Sequence, residues 1–208
     1  MSASIVRLID TVAEWARVNI CEHIQLKQPP EDLEAAVDDD YEYTVVKPTV
    51  FPMYVPTADK LPPGVHSPFP HLLVRFMNGQ HNVAGRNGYV DVQFCFSAWS
   101  PGQHDEDVFY PNGDGTYRRG GANGARTSFI RDGEGWRDVW NFVDIALRAV
   151  ESTTQIGEYS IDTATPIDFG PLTEQKAIPD YYPMWFAWMT FRVTFPIRRN
   201  VAEYNNLL

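Results

Sequence analysis

Two short acidic stretches carry oxygen ligands of the kind that could hold a calcium ion. Asp105-Glu-Asp107 and Asn112-Gly-Asp-Gly115 both lie close to tight-turn residues. A calcium-binding loop requires acids at alternating positions and a bidentate glutamate at its end. The order of the acids differs here, and Glu134 lies far along the chain. We therefore interpret the stretches as part of a glycine-rich turn, and we predict no metal site.

Glycines in the same region have the spacing of phosphate-binding loops, in Gly113-Asp-Gly115 and Gly120-Gly-Ala-Asn-Gly124. A dinucleotide-binding fingerprint follows a strand and opens directly into a helix. This stretch lies well beyond the preceding predicted strand, and the next predicted helix begins only after Gly135. The pattern predicts neither a nucleotide site nor any other cofactor.

Arginines and aromatic residues are combined in this region of an otherwise acidic chain. Such residues bind single-stranded nucleic acid by stacking and charge, and they are equally enriched at protein–protein interfaces. We predict a protein interface, with a solvated loop or a nucleic-acid contact as the alternatives. The predicted interface residues are Phe109, Tyr110, Tyr117, Arg118, Arg119 and Arg126, with Phe129 and Arg131 nearby.

Catalytic groups show no recognisable spacing. Asp162 and Asp168 bracket a predicted strand, but only their separation in space could identify a glycosidase pair. No serine lies in a Gly-x-Ser-x-Gly elbow. The five histidines have no paired spacing with Cys21 or Cys95 that would indicate a metal site. The sequence predicts that the protein is not an enzyme and that both cysteines are buried free thiols.

Composition is typical of a globular domain with a sizeable core. The chain has 208 residues, of which 44% are hydrophobic and 21% charged, with a formal net charge of -10. This charge disfavours nucleic acid or an anionic membrane as the main partner. No apolar run approaches the ~18 residues that suggest a membrane span. The first seven residues lack a signal-peptide pattern, so none is expected.

Two amphipathic helices are predicted from apolar residues that recur at helical spacing. The first begins after Ser4 as N-cap and runs for about six turns to Pro29-Pro30. The second covers Trp136 to Val150. Between the first helix and the strands, residues 31–42 hold seven acids and no base, which indicates an exposed linker or a frayed helical turn. A docking site for a basic partner is the alternative.

The remaining pattern is extended. Residues 43–54 form an edge or irregular strand because Pro48 and Pro52 interrupt pairing. A proline-rich loop follows, and two strands at 71–77 and 89–99 are expected to pair antiparallel. Turns are predicted at Asn78-Gly79 and Gly85–Gly88. A short strand is predicted at 159–163, and a long one closes the chain at 181–196.

The closing strand has two distinct faces. Period-two spacing places an apolar set on one face: Trp185, Ala187, Met189, Phe191, Val193 and Phe195. The other face changes from aromatic at Phe186 and Trp188 to polar at Thr190, Arg192 and Thr194. We expect the first face to meet the helices, and Phe186 and Trp188 to meet a loop or another subunit. A carbohydrate-binding face built on Trp185 and Trp188 is the alternative.

These elements together predict the α+β class. One domain over 1–208 is expected, with a mainly antiparallel sheet packed by an N-terminal helix and a second helix near 136–151. Long loops are inserted at about 55–70 and 100–132. Because loops of that length inside a compact domain are usually functional, the second insertion is the expected site of interaction.

The order of elements resembles the tail terminator, or tail completion, proteins of tailed bacteriophages, including those with contractile tails. In that family a hydrophobic strand, here Val90-Asp-Val-Gln-Phe-Cys-Phe-Ser-Ala-Trp-Ser100, precedes a helix like Trp136-Arg-Asp-Val-Trp-Asn-Phe-Val-Asp-Ile-Ala-Leu147. A late aromatic strand then closes the sheet. The length of 100–132 and the proline- and acid-rich region 29–70 depart from the family pattern.

The resemblance implies a structural virion protein without catalytic activity. It implies a ring, expected to be hexameric, that caps the head-proximal end of the tail tube and ends polymerisation. The implied partners are further copies of the chain, the tail tube protein, and sheath and head-connector or neck proteins. DNA would pass the lumen without specific binding, and no membrane is involved. Another neck or sheath-associated virion protein is the alternative within this group.

Overall fold

The computed structural model describes residues 4–30, 44–104, 109–111, 117–119, 129–130 and 133–197. The helices are α1 (Ile5–Asn19) and α2 (Trp136–Glu151). In the first half of the chain the strands are β1 (Leu26–Gln28), β2 (Thr44–Val46), β3 (Thr49–Pro52), β4 (His71–Asn82), β5 (Asn87–Trp99) and β6 (Gln103–His104). The later strands are β7 (Phe109–Pro111), β8 (Tyr117–Arg119), β9 (Phe129–Ile130), β10 (Gln155–Ile156), β11 (Tyr159–Ile161), β12 (Asp168–Pro171) and β13 (Met184–Pro196).

The main sheet is built around the antiparallel pair β5 and β13. These strands pair without interruption from Met184 opposite Trp99 to Pro196 opposite Asn87. The strand order is β10-β11-β13-β5-β4-β3, and β12 pairs with the first half of β13. Every pair in this sheet is antiparallel except β3 with β4. The predicted α+β class with a mainly antiparallel sheet is confirmed.

One face of the sheet forms the core against both helices. On β13, Ala187, Met189, Phe191, Val193 and Phe195 are buried, as the period-two pattern predicts. Aromatic rings meet edge to face at its centre, with Phe94–Phe191 and Phe96–Phe142 centroids both 5.0 Å apart. Such pairs contribute roughly 0.5–1.5 kcal/mol beyond the burial of their area. The apolar face therefore fixes the two helices against the central strands.

The opposite face of the sheet is polar along much of its length. Arg192 lies directly across from Asp91, and its guanidinium donates to both carboxylate oxygens, at 2.7 and 3.2 Å. The same guanidinium lies 3.7 Å from the ring centroid of Tyr89. A bidentate pair stacked on an aromatic ring holds Arg192 in one orientation. The polar half of this face of β13, which the sequence predicted, therefore takes part in a cross-strand cluster of Arg192, Asp91 and Tyr89.

The first helix is shorter than predicted. Ser4 caps it as expected, accepting a hydrogen bond from the backbone of Arg7 at 3.5 Å. The helix ends at Asn19, however, and a helical turn over Cys21–His23 leads into β1. Since β1 pairs with β2, Leu26 is buried in extended backbone rather than on a helix. Ile20 and Ile24 recur at helical spacing but lie beyond the end of the helix. The pairing of β1 with β2 set the C-terminal boundary of α1 against this local pattern.

The β4–β5 hairpin is longer than predicted. Asn78-Gly79 was expected to be a turn, but β4 continues through it to Asn82 after a bulge between Phe76 and Asn78. A Cβ on Gly79 would lie 2.9 Å from the carbonyl oxygen of Tyr89, so this glycine permits close strand approach. The second predicted turn is confirmed in the neighbourhood of Gly85, whose N–H bonds the Asn82 side chain at 2.8 Å.

The proline-rich region behaves largely as predicted. Pro52 ends β3, which is an edge strand, and the connection to β4 has a helical turn at Ala58–Lys60.

The short strand predicted at 159–163 is β11. The sequence pattern missed β12, because Asp168–Pro171 contains glycine and proline and gains its pairing only from β13. The acidic segment 31–42 lies outside the described residues.

A buried lysine joins the N-terminal region to α2. Lys27 is 8% exposed, and its ammonium donates to Ser100 Oγ at 3.1 Å and to Asp138 Oδ2 at 3.3 Å. The contact links β1, the end of β5 and the first turn of α2. Removal of the ammonium would take these hydrogen bonds from Ser100 and Asp138, so it should lower the free energy of unfolding.

We expect Lys27→Met to lower the free energy of unfolding by about 1–3 kcal/mol. The matched control is Lys47→Met, since Lys47 pairs with Glu22 at the surface, where both side chains are well exposed. An exposed pair contributes about 0–1 kcal/mol. Urea unfolding of both variants measures the difference, and equal losses would contradict the structural role given to Lys27.

A buried histidine makes stability depend on pH. His71 is 7% exposed, and its Nδ1 donates to the Pro68 carbonyl at 2.7 Å. Burial lowers the pKa of His71 below 6.5, and the bond to Pro68 opposes this shift in part. The unfolded chain therefore takes up the proton at a higher pH than the folded protein does.

We expect the free energy of unfolding to fall as pH drops below about 6.5, because protonation then favours the unfolded state. Urea unfolding between pH 7.5 and 5 measures this slope. His71→Asn should reduce the slope, even if the variant is less stable overall. An unchanged slope in His71→Asn would contradict this role of His71.

Candidate functional site

The insertion between β5 and α2 is closed by its own strand pairs. Gln103 and His104 of β6 pair with Ile130 and Phe129 of β9. Inside this stem, β7 and β8 form a second antiparallel pair. The insertion was predicted as a long glycine-rich loop, so the strand pairs are a correction. Strands of two or three residues are too short for a period-two pattern to predict them.

The predicted interface residues lie mostly on this inner pair. Phe109 pairs with Arg119 and Tyr110 with Arg118, and Tyr117 lies opposite Pro111. Five of the six predicted residues are thus brought together by backbone pairing. Arg126 lies outside the described residues, as do the acids 105–107, the turn 112–115 and the glycines 120–124. The prediction that this segment makes a protein contact stays a prediction.

A groove of about 450 Å³ lies beside the base of the insertion. The first two turns of α2 form one wall, the segment 171–181 forms the other, and the start of β13 forms the floor. Its lining is mainly apolar, which is typical of a surface that binds another molecule. The lining residues are Trp136, Val139, Trp140, Pro171, Leu172, Ile178, Pro179, Asp180, Tyr181, Met184, Trp185 and Phe186.

Several apolar side chains around this groove are exposed. Ile178 is 71% exposed and Phe169 is 51% exposed, and Trp136 and Leu172 are also accessible. Phe169 meets Trp140 edge to face, with ring centroids 6.3 Å apart. Exposed apolar side chains are ordinary when scattered, but their grouping around one groove indicates an interaction surface. The sequence did not predict this surface, because Trp136 and Trp140 have the same helical spacing as the core residues of α2.

The outer wall of the groove is a small hairpin, which we call the flap (residues 172–183). Glu174 and Ala177 exchange backbone hydrogen bonds of 2.8 Å in both directions. The two residues between them, Gln175 and Lys176, have φ values of 48° and 68°. Left-handed backbone at non-glycine residues is strained, and strain of this kind concentrates at functional segments.

The floor of the groove is tied to the base of the insertion. Trp185 donates its indole N–H to the Ser100 carbonyl at 3.1 Å, and the Tyr182 hydroxyl donates to the Pro101 carbonyl. A Cβ on Gly135 would lie 2.4 Å from the indole nitrogen of Trp185, so only glycine fits there. The groove floor and the base of the insertion are therefore in direct contact.

The two tryptophans of the carbohydrate alternative do not form one platform. Trp185 and Trp188 are on opposite faces of β13, because their positions differ by an odd number. Trp188 donates its indole N–H to the Pro171 carbonyl at 3.0 Å and is half-buried. Phe186 meets Phe69 and Tyr181, with ring centroids 6.1 and 5.8 Å apart. The expected contact of Phe186 with a loop is confirmed.

Asp162, Cys21 and Cys95, the titratable groups considered from the sequence, are hydrogen-bonded or buried in ways typical of structural residues. Asp162 accepts hydrogen bonds from Thr165 Oγ1 at 2.7 Å and from the Ala164 N–H at 3.0 Å, and these bonds lower the pKa of its carboxyl. Cys21 is buried and free, and burial raises the pKa of its thiol to about 12. Cys95 is half-buried rather than buried, and burial raises the pKa of this free thiol as well.

Metal ligands do not cluster in the part of the chain that the structure describes: no group of three or more His, Cys, Asp or Glu side chains could hold an ion there. Among the described helices, none is long and apolar enough to cross a bilayer.

No protein-family model matches the chain, and no curated protein matches its sequence.

The strain at the flap turn has a measurable consequence. We expect Lys176→Gly to raise the free energy of unfolding by about 0.5–1 kcal/mol, because glycine adopts positive φ without strain. The control is Lys60→Gly in the helical turn Ala58–Lys60, where glycine adds only flexibility and should destabilise slightly. Thermal unfolding of both variants tests this, and a lower melting temperature for Lys176→Gly would contradict it.

Proposed function

We propose that this protein is a structural virion protein of the tail-terminator type. Copies of the chain assemble into a ring, expected to be hexameric, at the head-proximal end of the phage tail tube. The ring ends tail polymerisation and provides the joint to the head connector. The tail tube protein is the proposed partner on one side, and a neck or connector protein on the other.

The observation that carries this proposal is the presence of two different exposed surfaces at the two ends of one rigid strand pair. The apolar groove lies where β13 begins, at Met184–Phe186. The exposed end of the β4–β5 hairpin lies where β13 ends, beside Pro196. Ring contacts are heterologous, so each subunit must present two unlike surfaces.

The open edge of β4 supports the same assembly. Within the described residues, β3 covers only His71–Val74 of this edge, and no strand pairs with it from Arg75 to Asn82. An unpaired edge is available to another chain, unless bulges or charges block it. A bulge near Phe76 interrupts this edge, which restricts the geometry of any added strand.

The charge of the chain is compatible with a passage for DNA. A formal net charge of -10 gives the assembled ring a strongly negative surface. A negative lumen wall would repel the phosphate backbone and prevent DNA from sticking during passage. The element order that resembles terminator proteins is the further support for this assignment.

Electron microscopy tests the proposal directly. Purified protein, alone or mixed with tail tubes, is expected to form closed rings in negative stain, and added protein should limit tube length. A protein that remains strictly monomeric and leaves tube length unchanged would contradict the proposal.

The role of the insertion is tested separately. We expect deletion of residues 111–124 to leave a folded protein that assembles poorly, because this segment carries three of the six predicted contact residues, Tyr117, Arg118 and Arg119. Circular dichroism and thermal unfolding check the fold, and ring counts measure assembly. An equal-length Gly-Ser replacement controls for chain length. Normal assembly of both variants would show that the segment makes no essential contact.

A further inference from the structure

The groove beside α2 leaves several large apolar side chains exposed at one opening. Ile178 alone is 71% exposed, and Leu172 and Trp136 are 38% and 40% exposed at the same opening. Burying such side chains contributes favourably in proportion to the apolar area removed from water. An occupant that supplies apolar anchors at regular spacing would therefore bind here.

The chain itself contains a segment with suitable anchors after its last described strand. Residues 198–208 read Arg-Arg-Asn-Val-Ala-Glu-Tyr-Asn-Asn-Leu-Leu. Val201, Tyr204 and Leu208 recur at i, i+3 and i+7, which is the anchor spacing of helices that bind in apolar grooves. We call residues 198–208 the C-terminal segment.

The starting point of the C-terminal segment places it far from the groove of its own subunit. Ile197 donates its N–H to the Arg86 carbonyl at 2.8 Å, beside the β4–β5 turn. The groove floor is at the opposite end of β13, and a strand of this length spans about 40 Å. Tyr204 is seven residues beyond Ile197, so it extends at most about 25 Å from it. Tyr204 therefore falls short of its own groove, whereas a neighbouring copy can offer one.

Charge complementarity also favours docking of the C-terminal segment in the groove of a neighbouring copy. Arg198 and Arg199 give the start of the C-terminal segment two positive charges. The groove lining includes Asp180, and Glu174 lies on the flap, where its carboxylate accepts the Tyr181 hydroxyl. Complementary charges steer association and set orientation, and their effect weakens as salt concentration rises.

We propose that the C-terminal segment of one copy docks in the groove between α2 and the flap of the next copy. Donor and acceptor surfaces differ, so the contact is heterologous and repeats around a ring. The inference rests on the proposed ring assembly and identifies one contact that holds it together.

Cross-linking between differently tagged chains tests the contact. An Ile178→Cys chain is mixed with an Asn205→Cys chain and treated with a short bis-maleimide. Asn205 lies between the anchors, so its replacement should leave docking intact. We expect at least tenfold more cross-linked heterodimer than for Asn205→Cys mixed with Lys60→Cys, whose site is exposed elsewhere. Equal yields from both mixtures would overturn the proposal.

The doubly substituted chain separates exchange between copies from contact within one chain. At concentrations where the protein is monomeric, Ile178→Cys/Asn205→Cys should give no internal cross-link. An internal cross-link that forms at the same rate at every concentration would show that the segment binds its own groove and would overturn the proposal.

Assembly of charged variants distinguishes failure of this inference from failure of the ring. Ile178→Asp and Tyr204→Asp/Leu208→Asp are expected to form rings at least tenfold less readily than the parent chain. Val6→Asp is the matched control, because Val6 is 67% exposed on α1 and lies outside both candidate contact surfaces. If the parent and all variants form rings equally, this contact is wrong and the ring stands. If the parent forms no rings but the specific cross-link appears, the contact stands and the ring is wrong.

Discussion

The uninterrupted pairing of β5 with β13 is the interaction on which the rest of the structure depends. It joins residues about a hundred positions apart along thirteen pairs, from Trp99 with Met184 to Asn87 with Pro196. Each pair fixes which side chains face the helices, because a shift of one residue would turn the whole apolar set outward. The aromatic contacts of Phe94 with Phe191 and of Phe96 with Phe142 make such a shift unfavourable.

The candidate contact surfaces lie where the pairing of β5 with β13 begins and ends. At its beginning, Trp185 donates to the Ser100 carbonyl, which joins the groove floor to the base of the insertion. The buried Lys27 also joins Asp138 of α2 to Ser100. At its end, Ile197 bonds the turn of the β4–β5 hairpin. A rigid ladder therefore keeps the two candidate contact surfaces at a fixed separation, which a closed ring requires.

Periodicity predicted the elements that a single strong pattern specifies. The faces of β13, the span of α2 and the N-cap at Ser4 were all correct, because each depends on neighbouring residues. The end of α1 and the position of the first hairpin turn were wrong. In both cases pairing with another strand overrode a local preference, at β1 paired with β2 and at Gly79 against Tyr89. The strands inside the insertion were missed because two or three residues are too few to show a period-two pattern.

By itself, the sequence determined the fold class, the helix faces and the two-sided character of the closing strand, since apolar spacing alone carries that information. Only the tertiary structure decided which aromatic residues became surface. Trp136 and Tyr181 have the same sequence signature as core residues, yet the flap and α2 leave them at the rim of an open groove. That outcome depends on how segments far apart in the chain pack together, and residue spacing along one segment does not encode it.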